Sequence, residues 1–317
     1  MIKDRHRLRQ KLKGARAPLK KNPSKADGVM SKSMALAEKR KALLPTPTFP
    51  EALPVSQRLE ALQTAIADNQ VIIVAGETGS GKTTTLYSAV SELNRIEDKI
   101  ITTEDPVEYD SDGVIQIPID HEVGITFASC LRAILRQDPD VILVGEMRDR
   151  ETVEIGLTAA ETGHLVLSTL HTNDAPATVV RLLNMGVEPF NVASSVHLIM
   201  AQRLIRRLCK TCRKPAKYPE EVLLSAGFSP SGDHKKLELF GPNGCDECTG
   251  GYKGRTGIFQ VMPVSEAVTS LIIRNAGQDQ IEQQAAAEGV MTLRQAGLVK
   301  VRSGITSLDE VLRVTST

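Results

Sequence analysis

Tryptophan is absent from this 317-residue chain, and aromatic residues together make up only 3% of it. Any core must therefore be aliphatic. There is no run of 18 or more apolar residues, so the sequence offers no candidate for a membrane-crossing helix. The basic start, Met1-Ile2-Lys3-Asp4-Arg5, is not followed by the apolar stretch of a secretory signal, and the expected location is the cytoplasm. Excess charge is also missing, since the formal net charge is only +1. That balance hides an asymmetry: residues 1–50 carry 14 Lys/Arg against Asp4, Asp27 and Glu38, and the remainder is acidic. A basic arm of this kind suits nucleic acid or an anionic membrane surface, or it is simply a solvated tail. The length allows one large or two modest domains.

The chain does have a Gly-rich loop in a telling context. Gly76-Glu77-Thr78-Gly79-Ser80-Gly81-Lys82-Thr83 follows the apolar run Val71–Ala75 and precedes a helical pattern with Leu86, Val90 and Leu93 on one face. Strand, Gly-rich loop and helix in that order predict a phosphate-binding P-loop. The glycines let backbone N–H groups face phosphate oxygens, Lys82 adds a cation near the β- and γ-phosphates, and Thr83 supplies an oxygen for Mg²⁺. Thr84 extends the nucleotide-binding stretch.

The remaining organisation follows the same alternation. The segment Pro45-Thr46-Pro47-Thr48-Phe49-Pro50 reads as a rigid linker, preceded by a short helix near 31–44 and followed by a helix over 55–67. Ile100 to Thr103 predicts a strand ending in Glu104-Asp105-Pro106-Val107-Glu108, and 114–118 another strand. A helix is predicted over 126–137. The strand Val141-Ile142-Leu143-Val144 ends in Gly145-Glu146, an acid-tipped Walker B pattern with Gly145 where many P-loop proteins place Asp. Helix 149–162 leads to a strand ending in His171-Thr172-Asn173. Repeated strand–helix units with polar strand ends predict a parallel, RecA-like α/β core. Beyond it, 175–185 and 190–208 read as helices, 213–244 as a polar insert, and 265–275, 279–288, 291–303 and 307–314 as helices.

Phosphoryl transfer to water requires phosphate positioning, a metal, an oriented water and positive charge on the transition state. Glu104 and Glu146 are the candidate acids, one to hold Mg²⁺ through water and one to orient the attacking water. His171 is either a γ-phosphate contact or a hydrogen-bonded structural histidine. Arg132, Arg136 and Arg148 are candidate arginine fingers, and a finger given in trans requires an oligomer. Of five cysteines, Cys209, Cys212, Cys245 and Cys248 form two Cys-x-x-Cys pairs, the spacing of a closed, structural Zn²⁺ site. Cys130 lies on a helix face and reads as a core residue.

From Gly79 onward the chain resembles the secretion-superfamily ATPases, most of all those of type IV pilus assembly and next those of type II secretion. The resemblance rests on the P-loop through Tyr87 and on Glu104-Asp105-Pro106-Val107-Glu108-Tyr109, the family's Asp box. It continues through Leu135-Arg136-Gln137-Asp138-Pro139-Asp140 into Val144-Gly145-Glu146-Met147-Arg148-Asp149, its atypical Walker B. Thr162-Gly163-His164, the His box Ser168-Thr169-Leu170-His171-Thr172-Asn173-Asp174, Ala201-Gln202-Arg203-Leu204, the cysteine pairs, Gly254-Arg255-Thr256-Gly257 and 305–312 also fit. The resemblance implies a hexameric Mg-ATP motor on the cytoplasmic face of the inner membrane, an inner-membrane platform protein as partner and a pilin fibre as its load. It also favours Glu104 as the base and Glu146 as the acid that holds Mg²⁺ through water.

Upstream, Leu53-Pro54-Val55 and Asn69 to Gly79 resemble the entry to a bacterial DEAH-box RNA helicase, so the chain reads as a junction of two parents meeting at the P-loop. The expected organisation is a basic arm and linker (1–50), a RecA-like ATPase core (51–208), a zinc-binding tetracysteine subregion (209–256) and a C-terminal helical subdomain (257–317). The pilus ATPases' N-terminal domain is expected to be missing, leaving ATP binding weakened, turnover slow and hexamers poorly formed. The alternatives are an RNA-dependent NTPase fragment, which would use the basic arm for nucleic acid, and a non-enzymatic oligomerisation or platform-binding module.

Overall fold

The structure is a computed structural model and describes residues 71–228 and 238–316. The basic arm, the linker, the helices expected near 31–44 and 55–67 and the helicase-like stretch ahead of Val71 lie outside the described residues. Nine strands and ten helices follow among the described residues. Strand β1 (Val71–Ala75) leads into α1 (Lys82–Leu93), then β2 (Ile100–Glu104) and β3 (Ile115–Pro118). Helix α2 (Phe127–Ile134) ends in a 3₁₀ turn, Leu135–Gln137, before β4 (Val141–Val144), α3 (Arg150–Glu161) and β5 (Leu165–Leu170). Helices α4 (Ala175–Asn184) and α5 (Pro189–Ser195) precede the long β6 (Val196–Leu208).

One seven-stranded sheet has the order β3-β2-β4-β5-β1-β6-β9. All of its pairs are parallel except β6 with β9 (Tyr252–Pro263), which are antiparallel. Strand β1, Val-Ile-Ile-Val-Ala, is buried at every position, as a central strand covered on both faces must be. Because successive side chains alternate between faces, Val71, Ile73 and Ala75 join one aliphatic core while Ile72 and Val74 join a second. The second core includes Leu86, Ala89 and Val90 of α1. The first takes in Leu131 and Ile134 of α2 and Val153 and Leu157 of α3, and it continues into the C-terminal helices. Cys130 is buried in this first core.

Two segments differ from expectation. Residues 190–208 were expected to be one helix, but only Pro189–Ser195 is helical and Val196–Leu208 is a strand of 13 residues. Its sequence, VHLIMAQRLIRRL, is apolar at positions that also match a helical period. Flanked by β1 and β9, it is buried along most of its length and shows little of the two-residue alternation by which a half-exposed strand is recognised. The second difference is β9, which was not foreseen. It runs alongside β6 from Leu198↔Pro263 to Leu208↔Tyr252 and carries the boundary between the expected zinc-binding and helical regions into the main sheet.

The segment 209–251 is thus an excursion between two paired strands. It contains the short ladder of β7 (Lys214–Pro215) with β8 (Phe240–Gly241), and helix α6 (Glu220–Ala226). Helices α7 (Glu266–Ile273), α8 (Gln278–Ala287), α9 (Leu293–Arg302) and α10 (Leu308–Thr315) close the chain, as the helical periodicity anticipated.

Candidate nucleotide site and tetracysteine cluster

Parallel pairing of β1, β2, β4 and β5 brings their carboxyl ends to one edge of the sheet. That edge gathers the loop 76–81, Glu104, Glu146 and His171. Gly79 and Gly81 have φ of 79° and 87°, a left-handed backbone that a side chain would strain. At Gly76 a Cβ would stand 2.5 Å from the Gln202 carbonyl oxygen and 2.6 Å from Ser80 Oγ. The first turn of α1 has no side-chain cap and no acidic residue. Helices α5, α6 and α8 also lack a side-chain cap, whereas α2, α3, α4, α7, α9 and α10 are capped by Thr126, Asp149, Asp174, Ser265, Thr292 and Ser307. An uncapped helix N-terminus presents free N–H groups and the positive end of the helix dipole to an anion. Ser80 Oγ is buried beside it without a hydrogen-bond partner.

Lys82 is buried, and its Nζ donates to the carbonyls of Gly76 at 2.5 Å and Glu77 at 3.1 Å. Burial lowers its pKa, against the opposing pull of the Glu146 and Glu77 carboxylates. Thr83 is half-buried, while Glu77, Thr78 and Thr84 are exposed.

The two candidate acids sit in different surroundings. Glu104 is buried at the tip of β2, where Oε2 accepts from Tyr87 Oη at 2.5 Å and Oε1 from Thr102 Oγ1 at 2.6 Å and Gln116 Nε2 at 3.2 Å. Burial and the bond to Glu104 push the Tyr87 hydroxyl up to about 12. Glu146, past the tip of β4, is more open. Its Oε1 lies 3.3 Å from His171 Nε2, and its Oε2 accepts from Arg148 Nε at 2.7 Å. Arg148 also reaches Asp105 Oδ2 at 3.3 Å, so one guanidinium links the Asp box to the acid of β4. The Glu146 hydrogen bond raises the Arg148 pKa further.

Gly145 explains itself here. A Cβ there would stand 3.1 Å from the Thr103 carbonyl oxygen and 3.3 Å from Glu104 Cα, so an aspartate in its place would crowd β2.

Arg132 pairs with Glu151 of α3, and Arg136 is exposed on the 3₁₀ turn. Neither bonds to Lys82, Glu104, Glu146 or His171 among the described residues. Of the three candidate fingers, only Arg148 joins the cluster. Tyr87, Gln116 and the roles of Gln202 and Arg203 were not anticipated. Their partners lie as much as 122 residues away and beyond, and no local pattern announces such contacts.

The four paired cysteines converge where β6 ends and β9 begins. All four Sγ atoms lie within 4.8 Å of one another. Cys209 is 3.8 Å from Cys245, Cys212 is 3.7 Å from Cys248, and Cys245 is 3.6 Å from Cys248, sulfur to sulfur. A tetrahedron with Zn–S bonds of about 2.3 Å has edges of about 3.8 Å, so the donor set fits that ion. A disulfide would bring two sulfurs to about 2 Å. The Gly244 N–H donates to Cys212 Sγ at 3.3 Å. Burial pushes the Cys209 thiol up, but the N–H groups of Thr211 and Cys212 outweigh it and bring its pKa down to about 7.

Known proteins match most of the chain. The chain is 49% identical over 247 residues to the type IV pilus assembly ATPase PilB of Acinetobacter baylyi, covering 78% of this chain and 43% of that protein. It is 48% identical over 246 residues to the type II secretion system ATPase E of Vibrio cholerae, covering 77% and 48%. Among solved structures, the pilus retraction motor PilT with bound ADP superposes with a TM-score of 0.61 at 28% identity, over 85% of this chain and 69% of that one. The chain spans less than half the length of the curated relatives it matches. A family model described as type II/IV secretion system protein matches residues 51–313, and this chain belongs to that family.

Proposed function

We propose that this chain is the Mg-ATP-hydrolysing core of a type IV pilus assembly or type II secretion motor. The observation that carries the reading is convergence at one sheet edge: an uncapped helix N-terminus with Lys82, beside Glu104, Glu146 and His171. Loop 76–81 and the first turn of α1 bind the triphosphate through backbone N–H groups, with Lys82 turning from its two loop carbonyls to the phosphates. Mg²⁺ bound with ATP supplies charge neutralisation at the phosphates. Thr83 would hold it directly and Glu146 through water. Glu104, fixed by Thr102, Gln116 and Tyr87, orients the attacking water. His171 and Arg148 set the position of Glu146.

Cys209, Cys212, Cys245 and Cys248 hold a structural Zn²⁺ that ties the 209–251 excursion to the main sheet. The chain works as a homo-oligomer, with a platform protein of the inner membrane as partner, on the cytoplasmic face. No helix among the described residues is long and apolar enough to cross a membrane.

The test is direct. Purified chain should bind a fluorescent ATP analogue saturably with Mg²⁺ and release phosphate, and Lys82→Ala should abolish both. A folded, unmodified chain that binds no nucleotide refutes the proposal. Stimulation of turnover by single-stranded RNA would instead support the helicase-like resemblance of the segment ahead of β1.

A further inference from the structure

Glu77 is an anomaly for a phosphate cradle, because it places a carboxylate at the mouth of a site meant for a polyanion. What meets that carboxylate is Arg203. Strand β6 runs beside β1 in register Ala75↔Ala201, so the residues after Ala201 pass alongside the loop that leaves Ala75. Gln202 props the loop from within, its Nε2 donating to the Ser80 carbonyl at 2.9 Å and its Oε1 accepting from Thr85 Oγ1 at 2.7 Å.

Arg203 engages three separate segments with one guanidinium. Nη2 lies 3.2 Å from Glu77 Oε1 and donates to Asn173 Oδ1 at 3.1 Å, and Nη1 donates to the Val314 carbonyl at 3.0 Å. The Arg203 side chain is only 10% exposed, while that of Glu77 is 61% exposed. A largely buried guanidinium needs such partners. The Val314 carbonyl belongs to the last turn of α10, where orphan acceptors carry the negative end of the helix dipole. Glu77 in turn offers its backbone carbonyl to Lys82.

We propose that Arg203 is a positioning residue for the nucleotide loop: it neutralises Glu77 beside the phosphate cradle and ties that loop to the C-terminal end of α10. The inference rests on the nucleotide reading given above. Without Arg203, Glu77 opposes the phosphates with nothing to offset it, and the loop loses its link to α10. Docking of α10 is then felt at the nucleotide, and nucleotide binding at α10.

Three variants test this: Arg203→Met, Arg203→Met with Glu77→Gln, and Arg203→Lys. The readouts are the Kd for a fluorescent ATP analogue with Mg²⁺ and amide hydrogen exchange in residues 76–82 and 308–315. Arg203→Met is expected to raise Kd about tenfold, the effect of one charge acting over several ångströms in a partly screened site. It should also speed exchange in both segments. Adding Glu77→Gln should recover most of the affinity but not the α10 protection, a rescue that a merely structural role would not give. Should Arg203→Met fail to fold, Arg203→Lys carries the test, with affinity within about threefold but faster exchange in α10, because an ammonium keeps the charge and loses the fork. An unmodified chain that binds no nucleotide overturns the proposed function and this inference together. Binding by the unmodified chain that Arg203→Met leaves unchanged, or no rescue by Glu77→Gln, overturns this inference alone.

Discussion

Acidification should loosen α10 through a single carboxylate, Glu310. Its side chain is fully buried, yet it accepts from the Arg206 backbone N–H at 3.0 Å, Arg206 Nη2 at 2.6 Å, and Arg313 Nη2 at 2.8 Å and Nε at 2.9 Å. Burial alone pushes this carboxyl up. The Arg313 and Arg206 bonds outweigh it and bring the pKa from 4.5 down to about 2. A depressed folded-state pKa contributes stability that is present above the unfolded value and lost as pH falls through the folded one. With about 1.4 kcal/mol per pKa unit, Glu310 contributes about 3 kcal/mol at pH 7, about 1.4 at pH 3 and about 0.4 at pH 2. Glu310→Gln should therefore destabilise the chain by about 3 kcal/mol at pH 7, at the lower end of the cost of breaking a buried pair. The difference from the unmodified chain should shrink through the window from pH 4.5 to pH 2. Urea unfolding of both proteins from pH 7 to pH 2 measures it. Both chains share the cysteine cluster, so its own response to acid cancels in the difference. A Glu310→Gln cost that stays constant from pH 7 to pH 2, or one below about 0.5 kcal/mol at pH 7, would refute the reasoning.

Two further outcomes are expected. Gly297 lets α9 pack against α10: a Cβ there would stand 2.5 and 3.1 Å from the two γ-carbons of the buried, β-branched Val311. Gly297→Ala should cost about 1–3 kcal/mol in urea unfolding, and a neutral result would mean that the two helices are free to separate. Mild acid or a thiol-reactive mercurial should release one Zn²⁺ per chain, read with a metallochromic dye, and amide protection should fall in 209–251 while the sheet core keeps its own. Four thiols that titrate freely in the native protein, with no metal released, would remove the zinc assignment.

Much of this molecule was legible in local pattern. The P-loop could be read because strand, glycines, lysine and helix are contiguous, and the backbone geometry at Gly79 and Gly81 follows from residue type. The acid at the tip of β4 could be read from four aliphatic residues ending in Gly145-Glu146, and the tetracysteine cluster from its spacing. Helices α7 to α10 announced themselves by period. The path from Val196 to Leu208 did not, because a strand buried on both faces of its sheet loses the alternation that marks it. Its antiparallel partner β9 could not be recognised without it.

The sequence by itself determined the local chemistry: which loop has the glycines and lysine of a phosphate cradle, which thiols pair at metal-binding spacing, and where many helices start. Those properties depend on groups a few residues apart, and backbone geometry and side-chain period carry them. Only the tertiary structure decided that Arg203 would neutralise Glu77 and hold Val314, that Tyr87 and Gln116 would fix Glu104, and that Arg148 rather than Arg132 or Arg136 would join Glu146. The Arg203 contact to Val314 spans 111 residues of chain, and the one to Glu77 spans more. They arise from the order in which strands pair, which is settled by burial of the whole sheet rather than by any one segment.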